Sequence, residues 1–127
     1  MNKYGEAALK AVELFESGIN MDPRDAWELI ANDIFADSPS CRRKGCPKSA
    51  FLGLCEEGLV RGIPKGSYTR SQKNKGYALK AIELLKENPN LSSNPNKLWK
   101  MIISEPKAHN SQMDVVVALW ANGLIEI

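Results

Sequence analysis

Histidine is nearly absent from this sequence: His109 is the one imidazole among 127 residues. A histidine-based nucleophile triad or a metal site built on paired histidines therefore has little to draw on. The three cysteines, Cys41, Cys46 and Cys55, are odd in number and lack the paired short spacings of a structural zinc site. They fit a reducing compartment better than a disulfide framework. No apolar run reaches the ~18 residues of a spanning helix, and Met1-Asn-Lys-Tyr-Gly-Glu6 holds no apolar signal core, so a cytoplasmic chain with no membrane partner is expected. There is no GxxxxGK[ST] string; Gly62-Ile-Pro-Lys-Gly-Ser67 echoes one without its spacing. Glu56 and Glu57, adjacent on a helix, point apart and make no carboxylate dyad. These absences leave no catalytic residue, metal or cofactor to assign, and favour a non-catalytic protein.

What is present is one domain's worth of chain, 43% apolar and 25% charged, enough for a core without disulfides. The net charge of +2 hides an asymmetry. Residues 42–75 carry nine basic side chains and only two acidic ones, whereas the remainder holds eight basic and thirteen acidic. Such a local positive field attracts polyanions, although a solvated basic surface is the commoner outcome of a charge cluster.

Helical periodicity begins at Lys3, with Tyr4, Ala8, Ala11, Val12 and Phe15 on one face and Gly18 as a C-terminal cap. Asp22-Pro23 opens a second helix carrying Trp27, Ile30, Ala31 and Ile34, which ends by Ser38-Pro39-Ser40. Residues 40–46 read as a loop. A third helix from about Pro47 turns Ala50, Phe51, Leu54 and Cys55 inward, with Gly58 as its cap. Gly62, Pro64 and Gly66 exclude a helix beyond it, so Leu59–Ile63 and Ser67–Thr69 read as short extended arms around a turn.

The second half echoes the first. Ala8-Leu-Lys-Ala-Val-Glu-Leu-Phe15 matches Ala78-Leu-Lys-Ala-Ile-Glu-Leu-Leu85, and Asp25-Ala-Trp-Glu-Leu-Ile30 matches Lys97-Leu-Trp-Lys-Met-Ile102. Phe51-Leu-Gly-Leu-Cys-Glu-Glu-Gly-Leu-Val60 matches Val116-Val-Ala-Leu-Trp-Ala-Asn-Gly-Leu-Ile125. Offsets of 70, 72 and 65 residues in constant order imply an internal duplication. The expected fold is all-α, two tandem three-helix units packed as one globule: repeat 1 over 3–63, a linking arm over 64–75, repeat 2 over 76–127. The aliphatic segments after helices 3 and 6 have the composition for a minimal two-stranded β element. Asn94-Pro95 and the capping-box-like Ser111-Gln-Met-Asp114 mark helix starts in the second copy. Trp27 and Trp99, equivalent in the repeat, are expected in the core.

The string Lys44-Gly-Cys-Pro-Lys-Ser-Ala-Phe-Leu-Gly-Leu-Cys-Glu-Glu-Gly-Leu-Val60 with Gly62-Ile-Pro-Lys-Gly-Ser-Tyr-Thr69 resembles a family of small bacterial proteins of unknown function. Tyr4-Gly-Glu-Ala-Ala8 and the stretch from Asn74-Lys75 to Ala78-Leu79 extend that resemblance over most of the chain. It implies a bacterial-type soluble protein and brings no catalytic residues. The order of elements is also similar to helix-turn-helix and winged-helix modules, the third helix as reader and Gly62–Thr69 as wing. Near its start that helix offers only Lys48 and Ser49, too few polar groups for base-edge readout, which leaves phosphate contacts.

Three functional readings follow. In the first, the basic segment binds nucleic acid or another polyanion: Arg42, Arg43, Lys44, Lys48, Ser49, Lys65, Ser67, Tyr68 and Arg70 gather around a helix start whose amides favour anions. Tyr68 would offer a stacking surface. In the second, the chain is an interaction module whose basic tract meets an acidic protein partner. In the third, Cys46 is a reactive thiol, its thiolate favoured by the preceding Arg-Arg-Lys-Gly and the helix start.

Overall fold

In the computed structural model, which describes residues 2–18, 21–104 and 106–126, the chain is all-helical. Each helix start has a local cause. Asn2 accepts from the Tyr4 and Gly5 amides to open α1 (Lys3–Glu16). Asp22 accepts from the Arg24 amide, with Pro23 at the first position of α2 (Pro23–Ile34). Ser38 and Pro39 then nucleate a one-turn helix, α3 (Pro39–Arg42), inside the stretch expected to be loop. The main buried helix, α4 (Gly45–Glu56), is followed by α5 (Gln72–Glu87), a 3-10 turn (Pro89–Ser93), α6 (Pro95–Ile102) and α7 (Gln112–Ala121).

Two expected boundaries move. α4 begins at Gly45 rather than near Pro47, because the Lys44 amide already turns back to the Cys41 carbonyl at 3.3 Å. α5 begins at Gln72, so residues 72–75 of the expected arm are helical; the Ser71 hydroxyl accepts from the Asn74 amide at 3.3 Å and caps them. The connecting arm is therefore 64–71.

The core runs through all the long helices. Trp27 and Trp99 are buried, 1% and 3% exposed, and Trp27 lies against Phe51 with ring centroids 5.4 Å apart. α4 packs along α5, and α1 along α7, so the first helix lies on the last. At both interfaces the backbones come close. A Cβ on Gly53 would stand 2.7 Å from the Lys75 Cβ, and one on Gly5 would stand 3.0 Å from the Ala118 Cβ.

α4 and α7 end alike. Gly58 (φ 73°) and Gly123 (φ 69°) adopt the left-handed conformation. The Leu59 amide donates to the Leu54 carbonyl and the Leu124 amide to the Leu119 carbonyl, the six-to-one bond of a Schellman cap. The chain after each cap then meets the other. Val60 and Ile125 form an isolated antiparallel bridge, flanked by Arg61 N–H to Leu124 C=O (2.9 Å) and Glu126 N–H to Leu59 C=O (2.7 Å). No sheet forms among the described residues, nor do Leu59–Ile63 and Ser67–Thr69 pair with each other. No helix there is long and apolar enough to cross a membrane.

Candidate functional site

The arm is fixed to α4 at Glu56, whose backbone carbonyl accepts from the Gly66 amide at 3.3 Å and whose carboxylate makes the remaining bonds. Glu56, only 6% exposed, accepts from the amides of Tyr68 (2.9 Å) and Thr69 (3.0 Å) and from the Lys75 ammonium (2.5 Å). Burial pushes the Glu56 carboxyl up, but Lys75 and then the Thr69 and Tyr68 amides outweigh it and hold the group at about 2. Lys75 also reaches Glu57 at 2.6 Å. Sequence reasoning noted only that Glu56 and Glu57 point apart and form no dyad, and missed the role of Glu56. Its one legible signal is position: it sits one turn after the buried Leu52 and next to the buried Cys55 on the core side of α4.

So anchored, the arm and α4 bound a groove of about 270 Å³ lined by Arg24, Lys48, Ser49, Leu52, Tyr68, Thr69 and Arg70. Four of the expected site residues thus come together: Lys48, Ser49, Tyr68 and Arg70. Arg24, from α2, joins them and was not expected, since it lies far from the basic segment in sequence. The Tyr68 hydroxyl donates to the Pro64 carbonyl at 2.6 Å, which folds its ring back over Gly66 and stiffens the turn.

Other expected site residues do not line this groove. Lys44 places its ammonium over the Tyr4 ring, 5.3 Å from the centroid. Lys65 packs by Gly58 at the far end of α4, where Gly58 carries its left-handed cap. Arg42 belongs to α3 and Arg43 ends it, and Ser67 is exposed on the arm. The helix-start rationale also shifts. The first positions of α4 are Gly45 and Cys46, and Pro47 has no N–H to offer, so Lys48 and Ser49 lie beyond the anion-attracting end.

The charge surplus of the segment is partly cancelled. Lys48 pairs with Glu28, Arg61 with Glu126 and Lys75 with Glu56 and Glu57. Arg24 grips Asp22 through two bonds of 2.9 Å. Around the groove, three cations thus face two carboxylates, leaving Arg70 with no ion pair among the described residues.

Cys46 is the second residue of α4, inside its first turn rather than capping it. The Ser38 hydroxyl and then the Tyr4 hydroxyl instead lower the thiol of Cys41. His109 is not available to either as a base. Its Nε2 accepts from the Met113 amide at 3.0 Å and its Nδ1 faces the Asn96 Oδ1 at 3.3 Å, so the neutral ring caps α7. Burial pushes its pKa down, only partly countered by Asp114, and Lys44 adds to the drop. Ser111, expected to cap that helix, has φ 68° and makes no capping side-chain bond. A second cleft, about 430 Å³, lies beside His109 and is lined by Asn96, Trp99, Lys100, Ile103, Pro106 and Lys107. Its interior donors are already used: Trp99 Nε1 donates to the Lys107 carbonyl and Lys107 Nζ to the Tyr77 hydroxyl. No metal-holding cluster of His, Cys, Asp and Glu occurs among the described residues.

A winged-helix reader needs an exposed third helix and a paired wing. Here α4 is buried from Ala50 to Glu56, and the end of the expected wing is tied to Glu56 through the Gly66, Tyr68 and Thr69 amides. Among known proteins, the model of a family described as a family of unknown function (DUF6979) matches residues 1–126. The chain belongs to this family. Neither a curated protein nor a solved structure matches it. For this DUF6979 member the site has to be read from its own chemistry.

Proposed function

We propose that this protein is a non-catalytic anion-binding protein, with the groove between α4 and the arm receiving phosphate groups of a nucleic acid or phosphorylated ligand. The observation that carries the reading is the convergence of Arg24, Lys48 and Arg70, from three separate stretches of chain, around the hydroxyl-bearing Ser49 and Thr69. Arginine forks and hydroxyls suit phosphate oxygens. The carboxylates already present, Asp22 and Glu28, are at least partly exposed, and exposed ion pairs contribute only about 0–1 kcal/mol, so a phosphate can displace them. Binding is expected to be weak. With at most three phosphates neutralised, log K should fall with log salt at a slope of roughly −1 to −3. The test is fluorescence anisotropy of a labelled oligonucleotide at about 50 and 200 mM salt, with Lys48→Glu/Arg70→Glu as the negative variant. Loss of binding in that variant is expected; no binding by the wild type at low salt would remove the reading.

The duplication belongs to the same proposal: the second copy has a groove of about 300 Å³ at the corresponding place, with Asp114 and Val117 where the first has Ser49 and Leu52, and only the first is lined by basic side chains. Several equivalences support it. At an offset of 65, the two bonds flanking the Val60–Ile125 bridge exchange places, as a two-fold axis through the bridge requires. Under the helix offsets, Gly5 corresponds to Lys75 and Ala118 to Gly53, so the two close interhelical approaches are one contact seen twice. Each has a glycine on one side only, and on opposite sides. Glu56 in repeat 1, the linking arm and the basic lining between them are additions to this frame.

A further inference from the structure

Leu29 and Met101 are the two large apolar side chains left half exposed among the described residues, 51% each. They occupy matching places, two residues beyond Trp27 on α2 and two beyond Trp99 on α6. Their surroundings have opposite charge. Asp25 and Asp33 stand one turn before and one turn after Leu29, whereas Lys97 stands one turn before Met101 and Lys100 beside it; all four are exposed. None of the four makes an ion pair among the described residues. Beside Met101 lies a groove of about 320 Å³ with Leu84 and Ile102 in its wall, large enough for a leucine side chain. Glu83, also in the wall, is held by Lys86 at 3.3 Å.

We propose that a second copy of this chain is the partner of these faces, the acidic α2 face of one copy docking Leu29 beside Met101 on the basic α6 face of the next. Core packing asks for neither exposed apolar residue, and charge complementarity selects the face of the other helix over a like face. The contact is heterologous, since the two surfaces differ, so a docked pair keeps one unused face of each kind, one on each copy, and the assembly grows as a chain or closes as a ring. Helices of this length, about 18 and 12 Å, cover less than the ~800 Å² per partner of a stable complex, so association is concentration-dependent and weakened by salt.

Sedimentation velocity at concentrations on the order of 0.1–1 mM and low salt tests this. The wild type should rise above the 14.1 kDa of one chain, and salt should reverse the rise. Asp25→Lys/Asp33→Lys blocks one face and Lys97→Glu/Lys100→Glu the other, all at exposed positions outside the core. Each double variant alone should stay monomeric, since its two faces then carry like charge, while their equimolar mixture should associate again, through the unmutated pair of faces and through the charge-swapped pair. A wild type that stays monomeric throughout would assign the faces to other proteins and overturn the proposal. So would variants that associate like the wild type, or a mixture that does not.

Discussion

Replacing Glu56 with alanine should free the arm at Tyr68 and Thr69, leaving the Gly66 amide on the backbone carbonyl of residue 56, and lower the stability of the whole chain. The carboxylate holds two amides and an ammonium, and charge-assisted bonds contribute about 1.5–3 kcal/mol each. The net loss is smaller than their sum, because Lys75 keeps Glu57 and the freed amides turn to water: about 2–4 kcal/mol. With an unfolding entropy of about 2.1 cal/mol/K per residue over 127 residues, that is a Tm decrease of roughly 8–15 °C. Glu56→Gln keeps the shape and one carbonyl acceptor, and should fall between the two. The sign of the pH effect follows from a folded-state pKa of about 2 against the ordinary 4.5. Glu56 contributes fully above about 4.5, and its contribution fades as pH falls towards 2. The wild type and Glu56→Gln should therefore converge in acid. Thermal melts from neutral to acid pH, with amide exchange read at Tyr68 and Thr69, make the measurement. A Glu56→Ala variant melting within about 2 °C of wild type at neutral pH, its two amides still protected, would refute the reasoning.

Gly53→Ala should cost about 1–3 kcal/mol by forcing α4 away from α5, since the new Cβ would meet the Lys75 Cα at 2.8 Å, a backbone atom that cannot swing aside; chemical denaturation would record it, and an unchanged midpoint would contradict the close approach. His109 caps α7 only while neutral, and burial lowers its pKa, so its contribution is full above the ordinary imidazole value of about 6.5 and declines as pH falls below it. As it is the sole histidine, the corresponding stability step should vanish in His109→Ala, at the cost of lower stability at pH 8; a step that persists in that variant would exclude His109 as its source.

The helical frame was legible because its signals are local. Asp22-Pro23, Asn94-Pro95 and the glycines at 58 and 123 act on the turn beside them, and the tryptophan stripes report burial directly. The site was harder to read because its parts are joined across the chain. Arg24 enters the groove from α2, and Lys75 looks like surplus charge until Glu56, nineteen residues earlier, is seen to hold it. Likewise, Ser111 has the composition of a cap, but its left-handed backbone makes no capping bond, and an imidazole two residues upstream takes its place.

The packing of α1 on α7 and of α4 on α5 also bears on how the chain is made. During synthesis the first helix emerges long before its main neighbour, the last, and α4 must wait for α5. The front part of the nascent chain therefore leaves the ribosome with the α7-facing side of α1 and the α5-facing side of α4 unpaired, and full closure waits for the ten-residue α7. Such long sequence separation slows folding. A chain stopped just before Gln112 would keep α4 on α5 and α1 on α2 but lack the helix that does most to join those two pairs.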